Sequence, residues 1–304
     1  MWQVKNLRDS EEILSFLQQD RLYAAYAIGD LEPSLFARCQ WFGAEDDGKT
    51  QALALLFTGL HPHALFTMGD DDGVAAILDS ALRLGSGQAL QSKLAYFTSR
   101  PEHLTVLEAF YDLDEVEQML RMVITSADFR PVLSPPVLSV AEGPKGHVPG
   151  PAIRLNPTHL DQLLELYRLG GGSAFAPYQL RDGVYYGIEV SGQLVSVAGT
   201  HLVSPTFGVA AVGNIFTRPN HRRRGYATAC TSHVVEELLA LRRDSGEPLG
   251  LSSGRRLSRA AQDRAQGLDV VLNVNRGNAE AIEIYERLGF RRYCPFIEVV
   301  GERK

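Results

Sequence analysis

Three consecutive arginines, Arg222, Arg223 and Arg224, lie between a strand-like run and the first turn of a predicted helix. Pro219 ends the strand, and apolar residues recur at helical spacing from Tyr226 onward, which predicts a helix over 224–243. Cations are disfavoured at a helix N-terminus, because its free N–H groups already carry partial positive charge. We therefore expect an anion here, bound jointly by backbone N–H and guanidinium groups.

Two motifs carry a family resemblance. The spacing Arg222-x-x-Gly225-x-Ala227 resembles the pyrophosphate-binding loop of the GNAT superfamily of N-acetyltransferases. About fifty residues later, the segment from Asn273 to Phe290 resembles the second signature of that family, a strand, an Asn-x-x-Asn turn and a helix containing a tyrosine and Leu-Gly-Phe. The first motif alone is also compatible with an exposed basic turn before an ordinary helix, but the two occur in the family's order.

The resemblance implies that acetyl-CoA is the co-substrate and that no metal takes part. In the family, the asparagine of the second motif contacts the pantetheine arm of coenzyme A, and the strand before the basic loop pairs with the pantetheine amides. Carried onto this sequence, the coenzyme-binding set is the strand end, the basic loop, the first helical turn and two asparagines: Ile215, Phe216, Thr217, Arg222, Arg223, Arg224, Gly225, Tyr226, Ala227, Thr228, Asn275 and Asn278.

The catalytic candidates are Tyr285, Asn214 and His201. The resemblance assigns Tyr285 the role of general acid that protonates the departing thiolate, although it also falls on an apolar helical stripe and suits a packing role. The family often places a glutamate on the strand over 212–216, and this sequence has none there, so the general base is in doubt. Asn214 can orient a water or the acceptor. His201 has a suitable intrinsic pKa, although a strand histidine is also compatible with a structural role.

Composition restricts the classes of partner and location. A net charge of −6 disfavours nucleic acid as a partner, since the arginine cluster is local. The sequence has no run near 18 consecutive apolar residues, so we expect no membrane association. The three cysteines lack metal-ligand spacing and favour reduced thiols in a cytoplasm, with Cys230 in a helix core in preference to a nucleophilic role.

The order of predicted strands and helices indicates an α/β (α+β) fold, with a GNAT-like mixed central β-sheet flanked by helices in two similar domains. We predict a degenerate copy over 1–129, a Pro- and Gly-rich linker over 130–152 and a catalytic domain over 153–304. An Arg-rich insertion over 242–267 is either a solvated loop or a contact for the coenzyme 3′-phosphate. In the N-terminal copy Asp70, Asp71 and Asp72 stand where the basic loop is expected, so this half should not bind coenzyme A.

These observations predict an N-acetyltransferase that moves an acetyl group directly to a primary amine of a small molecule or peptide. The alternative is a non-catalytic acyl-CoA-binding sensor, favoured by the missing glutamate. Aromatic residues over 170–178 weakly favour an apolar portion in the acceptor. The sequence leaves the oligomeric state open, with a homodimer as one option.

Overall fold

The computed structural model describes residues 2–84, 93–132, 151–170, 175–241 and 267–304. The strands in these ranges are β1 Gln3–Leu7, β2 Cys39–Asp46, β3 Lys49–Phe57, β4 His63–Gly69, β5 Leu94–Ser99, β6 Tyr111–Leu113, β7 Glu117–Ile124, β8 Ile153–Arg154, β9 Tyr186–Val190, β10 Gln193–Ser204, β11 Val209–Thr217, β12 Asp269–Asn275 and β13 Arg291–Arg303. The α-helices are α1 Ser10–Leu17, α2 Ala25–Gly29, α3 Pro33–Phe36, α4 Asp71–Leu84, α5 Leu104–Phe110, α6 Leu160–Tyr167, α7 Pro177–Asp182, α8 Tyr226–Ala240 and α9 Ala279–Leu288.

Most of these elements lie where the alternation of strand and helix patterns predicts them. The sequence did not predict α3 and β6, because segments of four and three residues are too short to display a period. The predicted α/β class, with mixed sheets flanked by helices, is confirmed.

Unit 1 is a compact unit that comprises Met1–Arg121, Val274–Asn278 and Tyr293–Lys304. Its strands β1 to β4 are antiparallel neighbours, β5 is parallel to β4, and β13 is antiparallel to β5 and β6. Helix α4 packs on β2 and β3. The apolar core beneath it includes Phe42, Leu56, Phe97 and Ile297.

Unit 2 comprises Met122–Asn273 and Ala279–Arg292. Its strands β8 to β11 are antiparallel neighbours, and β12 is parallel to β11. Helix α8 packs on β9, β10 and β11, and one of its faces is buried because Ala229, Cys230, Val234 and Leu238 recur at helical spacing. Cys230 is therefore a core residue. In the chain order of each unit, a long helix thus lies between the last antiparallel strand and the strand that is parallel to it: α4 between β4 and β5, and α8 between β11 and β12.

The compact units do not coincide with the contiguous domains predicted over 1–129 and 153–304. The chain crosses between units at Arg121, within β7, and the C-terminal strand joins the unit built from the N-terminal residues. The physical reason is pairing across the sequence, because residues 297–302 of β13 align with β5. A local pattern indicates that a segment is a strand but does not identify its partner.

Candidate active site

The end of β11 has an irregular backbone. Asn214 has φ 52°, in the left-handed region that few residues other than glycine adopt. The register with β10 shifts between the pairs Val197–Phe216 and Gly199–Gly213, which places one extra residue on β11. Among the described residues, the parallel register with β12 ends at Val212. The last five residues of β11 thus extend beyond this pairing on one edge.

A buried polar network fixes Asn214. The Tyr167 hydroxyl donates to its backbone oxygen at 2.6 Å, and its side-chain Nδ2 donates to the Tyr185 hydroxyl at 2.8 Å. Nδ2 also lies 3.4 Å from Oε1 of Gln179, whose own Nε2 donates to the backbone oxygen of His201 at 3.0 Å. These bonds account for the amide donors of Asn214 and hold the bulged strand in one conformation.

The basic loop follows β11 through a 3-10 turn, Pro219–His221. Arg222 is extended, Arg223 has φ 59° and Gly225 has φ 76°, so the chain enters the left-handed region twice before the helix begins. Helix α8 starts at Tyr226, two residues after the start predicted from the sequence, because Gly225 does not have helical dihedral angles. The structure therefore places all three arginines in the loop and leaves the first turn of α8 without a charged residue.

The charges of this loop are open to solvent. Arg222, Arg223 and Arg224 are exposed, and in the described ranges they have no carboxylate partner. Two of them bond to nearby carbonyls: Arg222 Nε donates to the Thr217 oxygen and Arg224 Nη2 to the Asn220 oxygen, each at 3.3 Å. No side chain caps the start of α8, and the first N–H groups of a helix have no partner within it. The loop therefore combines open amide donors with positive charge.

The remaining coenzyme-binding candidates surround this loop. Phe216 is buried beneath the guanidinium of Arg222, whose Cζ lies 5.9 Å from the ring centroid. The Thr217 hydroxyl is 2.7 Å from the hydroxyl of Ser196. Tyr226 is buried, and the sequence places the half-buried Ile215, Ala227 and Thr228 at the strand end and in the first turn of α8.

Tyr285 lies on α9, which packs against α8. Its side chain is 8% exposed, and its ring contacts Phe290 edge-on with centroids 6.0 Å apart. In the part of the chain that the structure describes, its hydroxyl has no hydrogen-bond partner. Burial raises the pKa of Tyr285 to about 12, so the phenol is protonated at neutral pH. The side chain packs as the apolar stripe predicts and also retains a proton to donate.

Comparisons with known proteins agree with this geometry. Residues 158–244, which include β11, the basic loop and α8, match the family model described as Acetyltransferase (GNAT) family. The chain contains a GNAT acetyltransferase domain. The resemblance stated from the two motifs is thereby confirmed. A search of the curated proteins found no match.

Solved structures show the same fold at low sequence identity. A GCN5-related N-acetyltransferase from Sphaerobacter thermophilus is 17% identical with a TM-score of 0.56, and the match covers 100% of this chain and 96% of that one. A Drosophila protein is 13% identical with a TM-score of 0.63, covering 98% of each chain. A tandem GNAT protein from the clavulanic acid biosynthesis pathway is 12% identical with a TM-score of 0.53, covering 99% of this chain and 98% of that one.

Asn275 and Asn278 belong to unit 1, so the structure does not group them with the basic loop of the GNAT domain. Asn275 Oδ1 accepts from the Gly277 N–H at 2.8 Å and its Nδ2 donates to Glu117 at 3.2 Å, while the Asn278 N–H donates to the Asn275 oxygen at 2.9 Å. These contacts form the turn before α9. A role toward the pantetheine arm stays a prediction.

His201 lies on β10, and its ring packs on Gly213, where an added Cβ would lie 1.9 Å from the ring. Burial lowers the pKa of His201 to about 4, so the imidazole is neutral at pH 7. A group with this pKa is a weak base near neutrality, which makes His201 a poor match to the base role suggested by the sequence.

Sequence reasoning missed the residues that hold Asn214, namely Tyr167, Gln179 and Tyr185. They lie on α6, on α7 and just before β9, and only the folded backbone brings them together. Periodicity alone predicts Tyr167 and Tyr185 as core aromatics, which they also are.

Several sequence predictions concern residues outside the described ranges. These are nearly all of the insertion over 242–267, most of the linker over 130–152 and the centre of the aromatic segment over 170–178. In the described ranges there is no group of His, Cys, Asp and Glu that could hold a metal ion, and no helix long and apolar enough to cross a membrane.

Proposed function

We propose that this protein is an N-acetyltransferase that moves the acetyl group of acetyl-CoA directly to a primary amine of a small molecule or peptide. One observation supports this most strongly. A basic loop without carboxylate partners in the described ranges leads into an uncapped helix, immediately after a bulged strand whose parallel pairing ends early. Pyrophosphate needs such N–H donors and cations, and an amide-rich arm needs a free strand edge.

Different groups of residues bind different parts of the coenzyme in this proposal. Backbone N–H groups from Arg223 to Thr228 and the three guanidinium groups bind the pyrophosphate of acetyl-CoA, which supplies the activated thioester. The edge of β11 after Val212 binds the pantetheine amides, and a backbone N–H there stabilises the developing oxyanion. The polar network around Asn214 keeps this strand edge rigid, so the donors are in place before the reaction.

Proton transfers complete the reaction. The amine nitrogen attacks the thioester carbonyl, the C–S bond breaks, and the nitrogen loses one proton as the amide forms. Tyr285 donates its phenolic proton to the leaving sulfur, since the buried phenol is protonated at neutral pH. The tyrosinate then regains a proton from solvent. Because His201 is a weak base, the amine must either reach the site in its uncharged form or give up its proton to water.

A second candidate is a sensor that binds acetyl-CoA without turnover. The low pKa of His201 and the absence of a carboxylate on β11 favour it, because neither supplies a strong general base. The cytoplasmic location and the amine partner remain predictions from the sequence.

Release of free thiol from acetyl-CoA, followed across a panel of small amines and N-terminal peptides, distinguishes the two. Amine-dependent thiol release that is lost in Tyr285→Phe supports the enzyme. Saturable acetyl-CoA binding with no amine-dependent release over the whole panel supports the sensor and contradicts the proposal.

A further inference from the structure

The basic loop contains a histidine that has no role in the function proposed so far. His221 is the last residue of the 3-10 turn that leads into the loop, and it directly precedes Arg222. Its ring is inclined by 31° to the ring of Tyr226, the first residue of α8, with centroids 6.5 Å apart. The imidazole therefore lies beside the helix start at which we propose that pyrophosphate binds.

A contact within the turn determines which ring nitrogen of His221 can gain a proton. Nδ1 lies 2.7 Å from Oδ1 of Asn220. An amide oxygen only accepts hydrogen bonds, so Nδ1 carries the proton of the neutral ring. Nε2 is therefore the nitrogen that titrates, and it has no hydrogen-bond partner among the described residues. A proton on Nε2 creates a free donor at a half-buried position of the loop.

The charges around this imidazole are positive. In the described ranges, the charged groups that act on His221 are Arg224 and Arg218, and both disfavour a further cation. Burial and then these two guanidinium groups lower the pKa of His221 below its ordinary value. Arg218 is ion-paired with Glu165 at 3.1 Å, whereas Arg224 has no carboxylate partner in the same ranges. Without a ligand, the ring is thus neutral at pH 7.

A bound anion reverses this balance. The negative charge of a pyrophosphate in the loop offsets the repulsion from Arg224 and favours the protonated form of His221. The protonated ring in turn offers the anion a further charged N–H donor. Because the two equilibria are linked, the binding of the anion raises the affinity for the proton, and the proton raises the affinity for the anion by the same factor.

We propose that His221 is a further coenzyme-binding residue, which takes up a proton at Nε2 as acetyl-CoA binds the basic loop. This role rests on the function proposed for the loop, because it needs the pyrophosphate there, but it does not involve the acceptor amine. Its test therefore requires binding and no turnover.

The direct test is nuclear magnetic resonance of the full chain labelled with ¹⁵N-histidine. The imidazole signals of His221 are identified by their loss in His221→Gln. Their titration between pH 5 and pH 8, where histidine changes charge, gives the pKa with and without acetyl-CoA. We expect saturating acetyl-CoA to raise this pKa by about one pH unit.

Two results would contradict this role, and they differ in what else they contradict. If acetyl-CoA binds and the pKa of His221 is unchanged or falls, the role of His221 is wrong, and the function proposed for the loop is unaffected. If acetyl-CoA does not bind at any pH, the proposed function is wrong as well.

Calorimetry provides an independent readout. The 3′-phosphate of acetyl-CoA itself titrates at about pH 6, so the affinities of wild type and variant are compared at each pH. The ratio of wild-type affinity to that of His221→Gln should rise about 5-fold from pH 7.5 to pH 5.5. His61→Gln, at an exposed position in unit 1, is the matched control, and its ratio should stay constant. An equal pH dependence in the wild type and His221→Gln would overturn the proposal.

Discussion

The two units place opposite charges at the same topological position. In each unit an antiparallel set of strands ends in a strand whose next neighbour is parallel, and the next α-helix along the chain is a long one. In unit 2 the junction between β11 and α8 carries Arg222, Arg223 and Arg224. In unit 1 the junction between β4 and α4 is Asp70, and Asp71 and Asp72 lie in the first turn of α4. The shared fold does not by itself create an anion site.

The acidic junction satisfies its own helix. Asp70 Oδ1 accepts from the Gly73 N–H at 3.1 Å, and Asp71 and Asp72 lie in the first turn of α4. Carboxylates at this position neutralise the partial positive charge of the helix start. Helix α8 has neither a side-chain cap nor an acidic residue there, so that position remains available to an external anion.

The strand ends differ in a second way. In both units a tyrosine donates to a carbonyl near the strand end: Tyr23 to Thr67 at 2.9 Å and Tyr167 to Asn214 at 2.6 Å. In unit 1 a buried histidine also reaches the last residue of the strand, because His103 lies 2.7 Å from the Thr67 hydroxyl and 3.0 Å from the Gly69 carbonyl. Internal side chains thus take up polar groups at the end of β4. The sign of the charge and the carbonyl bonded by His103 together distinguish the acidic junction from the basic junction that we propose to bind acetyl-CoA.

The largest expected effect comes from making the basic junction acidic. Gly225→Asp places a carboxylate beside the pyrophosphate position and a side chain at φ 76°. We expect acetyl-CoA affinity, measured by calorimetry, to fall by about 1,000-fold, or roughly 4 kcal/mol. Gly192→Asp is the matched control, since Gly192 has φ 75° in the turn between β9 and β10 and nothing within 4 Å of an added Cβ. If the affinity for acetyl-CoA is unchanged in Gly225→Asp, the loop is not part of the binding site.

The residue that we propose as the leaving-group acid also differs between the units. The seventh residue of α9 is Tyr285, whereas the seventh residue of α5 in unit 1 is Phe110, which has no proton to donate. Tyr285→Phe should lower kcat by about 100-fold with little change in acetyl-CoA affinity. Tyr186→Phe, which loses a bond to Glu237, is the control and should keep full turnover. If Tyr285→Phe and Tyr186→Phe have equal turnover, the hydroxyl of Tyr285 takes no part in the reaction and the side chain only packs.

Reversing the charges of unit 1 tests whether charge alone suffices. The triple variant Asp70→Arg, Asp71→Arg and Asp72→Arg should lower the free energy of unfolding by about 3 kcal/mol, because cations replace anions at a helix start. It should gain no acetyl-CoA site, since His103 and Tyr23 still occupy the end of β4. Denaturant unfolding and calorimetry measure the two outcomes. A second site in this variant would show that charge is the whole difference.

The smallest effect concerns His201 and pH. Its pKa is depressed to about 4 in the folded state, against about 6.5 unfolded, so the unfolded chain binds the proton first. The neutral imidazole makes its full contribution to the free energy of unfolding above pH 6.5, and this contribution is lost as the pH falls toward 4. His201→Gln should reduce the loss of unfolding free energy between pH 6.5 and 5 by about 1–2 kcal/mol. His61→Gln, at an exposed position, should leave that loss unchanged.

Local chemistry made the family and the basic loop predictable. The Arg222, Gly225 and Ala227 spacing and the tyrosine helix lie within short segments, where residue type and spacing carry the signal. The exchange of strands between units was not predictable, because the register of β13 with β5 depends on residues about two hundred positions apart. The network around Asn214 was hidden for the same reason, as its members come from α6, α7 and the residue before β9.

The number of acetyl-CoA molecules bound per chain tests the difference between the units most directly. Titration calorimetry of the full chain, with and without magnesium, should give one site per chain, because among the described residues it is unit 2 that combines open amides with cations. Magnesium is included because a metal is the one means by which Asp70, Asp71 and Asp72 could hold a diphosphate. One site in both titrations is the predicted result, and two sites in either would contradict the account.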